Sequence, residues 1–186
     1  MNTSTPSNPF ALNGECALIT GGGSGIGFAI ASCMAAAGAR VVIAGRREAL
    51  LVEAVSQLGA QTSYITHDVT QLDHAPSLVA KAVAATGQAI SILVNNAGIH
   101  IKKPALETSD EDFQSILSTH LCAAHALNRA TLPGMVERNH GSIIMVGSMA
   151  SLFGIPQVIA YSTAKTGMLG MVRSLATEVS GNGVRV

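Results

Sequence analysis

Short apolar runs alternate with longer stretches of helical periodicity along most of this 186-residue chain, and that alternation restricts the fold more than any single motif does. Cys16 to Thr20 (CALIT), Val41 to Ala44, Ser63 to Thr66, Ile92 to Val94, Ser142 to Val146 and Val184 to Val186 read as strands. Between them, helical spacing of apolar residues covers Gly25–Gly38, Glu48–Leu58, Asp73–Ala85, a stretch opening at Ser109-Asp110-Glu111-Asp112, and Val158–Val179. The acidic cluster suits a helix N-terminus, where the peptide dipole favours carboxylates, and Pro133-Gly134 are expected to stop that helix near Leu132. Strands that alternate with helices predict an open, doubly wound, mostly parallel α/β sheet with helices on both faces. Composition agrees: 48% hydrophobic and only 12% charged residues are what strands covered on both faces require. Ligands of such sheets bind beyond the carboxyl ends of the strands. Every candidate motif in this chain falls at such an end.

Other classes are disfavoured. Residues 1–11 read as a flexible Ser/Thr/Pro-rich leader with no charged or apolar signal-peptide region, and 12–186 as one domain without repeat or linker. Lys plus Arg and Asp plus Glu are both 11, and Trp is absent, so neither a basic stripe nor stacking aromatics point to nucleic acid. No apolar run is long enough to span a membrane. Cys16, Cys33 and Cys122 are isolated and odd in number, the pattern of reduced thiols in a cytoplasmic protein. The six His show no metal-ligand spacing, so no metal site is expected.

The turn after the first strand is Thr20-Gly21-Gly22-Gly23-Ser24-Gly25-Ile26-Gly27. Glycines let a backbone approach a pyrophosphate, and the helix N-terminus that follows offers free N–H groups to the anion. A merely flexible turn is the alternative. At the end of the second strand the chain reads Ala44-Gly45-Arg46-Arg47, with no acid before Glu48. A carboxylate there would grip a ribose 2′-hydroxyl, whereas Arg pairs with a 2′-phosphate, so NADP(H) is expected over NAD(H). A solvated charge pair at a helix start remains open. Asp68 and Val69, ending the third strand, are placed to contact an adenine, although Asp68 also suits a helix cap.

Tyr161 and Lys165 stand four apart in the last helix, hence on one face. A phenol is a weak acid, and a neighbouring ammonium favours its ionised form, which makes the pair a usable proton donor and acceptor. Ser148, thirteen residues before Tyr161 and at the end of the fifth strand, can offer a hydroxyl to the same substrate oxygen. Alone, such a pair is more often a surface Lys beside a half-buried Tyr.

With TGGGSGIG, NNAG and Ser148…Tyr161-x-x-x-Lys165 in this order, the chain resembles the short-chain dehydrogenase/reductase family from about Leu12 to Val186. The resemblance implies a Rossmann-type fold and hydride transfer between a nicotinamide and a carbonyl or secondary alcohol. It implies Tyr161 as general acid/base, in contact with the cofactor, Lys165 as the cation beside it and a holder of the nicotinamide ribose, and Ser148 as hydrogen-bond donor to the substrate. Asn95, Ala97 and Gly98 would shape the cofactor wall. Two departures stand out. The family usually carries Asn in the middle of the fourth helix, completing a proton relay behind the Lys, whereas Ser118-Thr119-His120-Leu121 has His120. It either holds a relay water, passes a proton itself, or is a tolerated replacement. Family members also continue for several tens of residues past GVRV, so the C-terminal strands and substrate lid are expected to be missing from an otherwise Rossmann-type domain.

The opening Phe10-x-Leu12-x-Gly14 and the basic stretch after NNAG, with Lys102 and Lys103, look like members acting on sugar acids or polyols, such as gluconate 5-dehydrogenase. Lys102 would attract a substrate carboxylate, unless both lysines are simply solvated. A 3-oxoacyl-(acyl carrier protein) reductase is the alternative within the family, and a catalytically inactive dinucleotide-binding regulatory module the alternative outside it. Small residues on the fourth and fifth helices, Ala123, Ala124, Ala126, Gly167 and Gly170, point to a homodimer or homotetramer, or else to packing within the chain.

Overall fold

The computed structural model describes residues 8–186. The expected leader therefore lies outside the described residues as far as residue 7. Beyond it, the Leu12 N–H donates to Ala37 O at 2.7 Å, tying the chain to the end of the first helix.

Six strands form a single parallel sheet: β1 (Cys16–Thr20), β2 (Arg40–Gly45), β3 (Thr62–Thr66), β4 (Ile92–Asn95), β5 (Gly141–Met145) and β6 (Val184–Arg185), in the order β3-β2-β1-β4-β5-β6. The helices are α1 (Gly25–Ala36), α2 (Glu48–Leu58), α3 (Ala75–Thr86), α4 (Asp110–Leu117), α5 (Ala123–Glu137) and α6 (Ile159–Val179). Alternate residues of each strand serve opposite faces. Leu18, Val42 and Leu93 face one core, with Leu78 of α3 and Leu127 and Met135 of α5. Ile19, Ile43 and Val94 face the other, with Ala31 of α1 and Leu51 of α2. Burying each of these Leu, Ile, Val and Met side chains stabilises the fold by about 1.5–3 kcal/mol. The strand order reverses at β1, whose neighbours β2 and β4 lead away in opposite directions, and there the loops after β1 and β4 part to leave a crevice.

The third helix begins later than expected. Leu72–His74 forms a 3₁₀ turn and α3 starts at Ala75, with Pro76 in its first turn, where a missing N–H costs nothing. The expected end of the fourth helix near Leu132 is corrected. Three segments run on from Asp110 to Glu137, with a π turn over Ser118–Cys122 and Pro133 inside α5. The bond Pro133 cannot make falls on the exposed side, beside exposed Arg129, while the next turn is held by fully buried Met135. Ser109 and Asp112 close a reciprocal capping box at the start of α4, which satisfies two helix-end donors.

Candidate active site

The glycine turn is built tightly. Gly21 has φ +67°, which favours glycine, and a Cβ on Gly27 would lie 2.2 Å from Gly21 O. The loop after β4 braces it: Asn96 Nδ2 donates to Thr20 O (2.9 Å), while the N–H groups of Asn96 and Ala97 donate to Thr20 Oγ1 at 3.1 and 3.0 Å. Ser24 precedes α1 in extended conformation and makes no side-chain cap, so the first N–H groups of α1 remain available to an anion. A cleft of about 160 Å³ opens here, lined by Gly21, Ser24, Arg46, Arg47, Asp68, Val69, Ala97 and Gly98, among others. Arg47 Nη2 reaches Ser24 Oγ at 3.5 Å, and Arg46 Nη1 lies 4.0 Å from Asp68 Oδ2. Hydrogen bonds from the Thr70 N–H and hydroxyl hold the Asp68 carboxyl below its ordinary range, with Arg46 adding to the effect.

Beside this cleft, α6 carries Tyr161 and Lys165. Lys165 is buried, and its Nζ donates to Val146 O at 2.6 Å, just past β5. Burial pushes its ammonium below the ordinary lysine range. The same Nζ lies 5.7 Å from the centre of the Tyr161 ring. That half-buried ring meets His100 and His120 edge to face, at centroid distances of 5.5 and 5.3 Å. Ser148, half-buried two residues beyond Val146, accepts the Ala150 N–H at 3.1 Å and keeps its own O–H free to donate. A phenol, a buried cation on a carbonyl and a serine hydroxyl beside a pyrophosphate-sized glycine turn are the parts of a proton-coupled redox site.

A profile of the short chain dehydrogenase family matches residues 15–186. The chain belongs to that family. It is 38% identical over 180 residues to galactitol 2-dehydrogenase (L-tagatose-forming) of Cereibacter sphaeroides, covering 95% of this chain and 70% of that protein. It is 35% identical over 175 residues to the 3-oxoacyl-[acyl-carrier-protein] reductase of Escherichia coli K12, covering 94% and 71%. A solved structure from Beutenbergia cavernae, provisionally described as an NAD(P)-dependent gluconate 5-dehydrogenase with NADP bound at low occupancy, superposes with a TM-score of 0.87 at 37% identity, covering 95% of this chain and 71% of that one. The chain is thus an oxidoreductase of the short-chain dehydrogenase class with a Rossmann-type sheet.

In this dehydrogenase the expected site residues do not all sit where the motifs suggested. Gly21, Ser24, Arg46, Arg47, Asp68, Val69, Ala97 and Gly98 share the cleft. Gly25 and Gly27 shape the loop without lining the cleft, Gly27 being buried, and Ile26 is exposed. Asn95 lies behind the cleft rather than on its lining, 5% exposed, its Nδ2 donating to Asn128 Oδ1 at 3.0 Å. Lys102 is exposed, whereas Lys103 is held in an ion pair with Asp112, so the pair does not act as two like charges at the site mouth. Ala123, Ala124 and Ala126 are buried inside the chain, Gly167 is half-buried against Leu121 and lines an open groove, and Gly170 is exposed. Sequence reasoning missed the bracing roles of Thr20 and Asn96. Their signal was present, as the residues flanking the glycine turn and the second Asn of NNAG.

Proposed function

We propose that this short-chain dehydrogenase interconverts a ketone and a secondary alcohol of a polyol or sugar acid, with NADP(H) preferred over NAD(H). The observation that carries the reading is the buried Lys165 ammonium, fixed on Val146 O beside the Tyr161 ring. When bound, the nicotinamide dinucleotide supplies the two-electron chemistry. The chain's residues supply binding and the proton. The glycine turn and the start of α1 take the pyrophosphate. Tyr161 gives its hydroxyl proton to the ketone oxygen in reduction and recovers it from the alcohol in oxidation. Ser148 donates a hydrogen bond to the same oxygen as charge develops there. Lys165 keeps positive charge beside the phenol while that proton is away, and its second task is to hold the nicotinamide ribose.

The NADP(H) preference is supported by Arg46 and Arg47 at the cleft and by Glu48, whose carboxylate accepts the Tyr64 hydroxyl at 3.2 Å. The polyol and sugar-acid assignment is supported by the galactitol dehydrogenase and gluconate 5-dehydrogenase likenesses. Lys102 is the candidate carboxylate attractant. A second reading, reduction of a 3-oxoacyl carrier thioester, is favoured by exposed Leu152, Phe153 and Ile155 near Ser148, which suit an acyl chain. We place the enzyme in the cytoplasm, as its three free cysteines suggest, and as a homodimer or homotetramer through α5 and α6, where Gly170 and the groove lined by Cys122, His125, Arg129 and Met171 face outward. Monomeric sedimentation would contradict the last point.

The deciding experiment follows NADPH and NADH oxidation against keto-polyols, keto-sugar acids and an acetoacetyl thioester, with Tyr161→Phe alongside. Turnover of the first two groups, lost in Tyr161→Phe, is expected. Preference for the thioester would establish the second reading. Wild type and mutant equally inert, yet both binding NADPH, would leave an inactive dinucleotide-binding module. The double variant Arg46→Ala/Arg47→Ala should lower the NADPH preference by about 10- to 100-fold, the worth of one or two charge-assisted bonds.

A further inference from the structure

His120 occupies the π turn between α4 and α5, 5% exposed, its ring edge against Tyr161. It also presses on the cofactor wall, since a Cβ on Gly98 would lie 2.3 Å from His120 Cε1. On one side of the ring, Nε2 is 2.8 Å from Ile99 O and 3.1 Å from Ile99 N. One ring nitrogen either donates or accepts, so it satisfies only one of these groups. On the other side Nδ1 is buried and has no partner among the described residues. Asn95 Oδ1 is in the same condition, its amide Nδ2 being engaged by Asn128.

Both residues line one small pocket of about 10 Å³, together with Thr20 and Thr119. That volume is close to the smallest that admits a single water molecule. The hydroxyl protons of the two threonines are already used, Thr20 donating to Val94 O (3.3 Å) and Thr119 to Ser115 O (2.9 Å). Neither threonine can therefore give a hydrogen to His120 Nδ1 or Asn95 Oδ1, and buried polar atoms left without a partner are costly. A water has two hydrogens to give.

We propose that His120 is a positioning residue for the Ala97–Ile99 wall, held in its Nε2–H form by one bound water that donates to His120 Nδ1 and Asn95 Oδ1. The shorter contact then takes the ring hydrogen, Nε2–H donating to Ile99 O. The opposite tautomer would set two lone pairs against each other across 2.8 Å. Burial, and the charges of Lys165 and His100, oppose adding a second proton, and the phenol of Tyr161 is the remaining titratable group against the ring. His120 is thus a neutral clamp that keeps Gly98 and Ala97 against the cleft, and it hands no proton to Lys165. The catalytic consequence rests on the function proposed above; the tautomer does not.

Ring-nitrogen NMR of the ¹⁵N-labelled protein between pH 5.5 and 8, assigned with His120→Asn, reads the tautomer directly. The expected His120 pattern is a protonated Nε2 and a hydrogen-bonded, unprotonated Nδ1 that stay unchanged over the range, with a water between Nδ1 and Asn95 Oδ1 in an atomic-resolution crystal structure. An Nδ1–H form, titration at an ordinary histidine midpoint, or a dry pocket would overturn the proposal. In turnover, His120→Leu should raise the KM for NADPH more than tenfold without moving the limbs of the pH–rate profile. His120→Asn, which can still donate to Ile99 O, should bring that KM back towards wild type. A shifted limb in either variant would show that His120 handles a proton. If the wild type reduces no carbonyl, the proposed function fails while the NMR result still decides the clamp.

Discussion

Gly27 is the tightest point of the glycine turn, because the space for a Cβ is already held by Gly21 O at 2.2 Å and Asn96 Nδ2 at 2.5 Å. Backbone cannot retreat as a flexible side chain can, so Gly27→Ala should separate the turn from its Asn96 brace. The expected outcome is a folded protein by circular dichroism whose NADPH affinity, followed by cofactor fluorescence, falls at least tenfold. His120 gives a pH-dependent counterpart. Burial, opposed in part by the Ile99 bond and reinforced by Lys165 and His100, lowers its folded-state pKa below the ordinary histidine value of about 6.5. Between that lowered value and about 6.5 the unfolded chain binds more protons than the folded one, so stability rises with pH through the window. His120's contribution is complete above about pH 6.5 and is lost as pH falls towards the folded pKa. The Tm should therefore drop on acidification below pH 6.5, and His120→Asn should flatten that part of the curve; equal slopes would remove His120 as its source.

At the scale of elements, the start of α4 depends on the capping box of Ser109 and Asp112, and Lys103 also binds that same carboxylate. Ser109→Ala removes one half of the box and should cost about 1 kcal/mol, seen as a lower urea midpoint at unchanged slope. Pro133→Ala should act the other way. It lets residue 133 donate to Arg129 O in mid-helix, raising stability by on the order of 1 kcal/mol once the gain in unfolded-chain freedom is subtracted. Element type was legible in the sequence almost throughout: α2 runs from Glu48 to Leu58, and β1 from Cys16 to Thr20, as their spacing predicts. The π turn over Ser118–Cys122 and the continuation past Leu132 to Glu137 were not, although helix was expected as far as Leu132. A π turn is one residue wider than an α turn and leaves no mark in the apolar period, and a proline is tolerated where its lost bond lies on the exposed side.

For the whole molecule, consecutive residues of β1 serve two cores on opposite faces of one sheet, Leu18 in one and Ile19 in the other. We expect residues 12–186 to behave as one domain. Leu18→Ala and Ile43→Ala, which touch different faces, should each cost about 2–5 kcal/mol in the same single unfolding transition, read by circular dichroism and by hydrogen exchange on both faces. Two separable transitions would divide the domain. Taken alone, the sequence determined the alternating elements, the doubly wound parallel class of the sheet and the strand ends at which chemistry gathers, because these follow from local periodicity and turn chemistry. It also named Ser148, Tyr161 and Lys165, whose spacing is local to one strand end and one helix. The tertiary structure decided what those ends face. It turned Lys165 onto Val146 O, paired Lys103 with Asp112, withdrew Ala123, Ala124 and Ala126 into the core, and set His120 between Tyr161 and Ile99 beside a small pocket. Such meetings join residues far apart in the chain, and side-chain direction across a packed sheet is fixed only when both partners are in place.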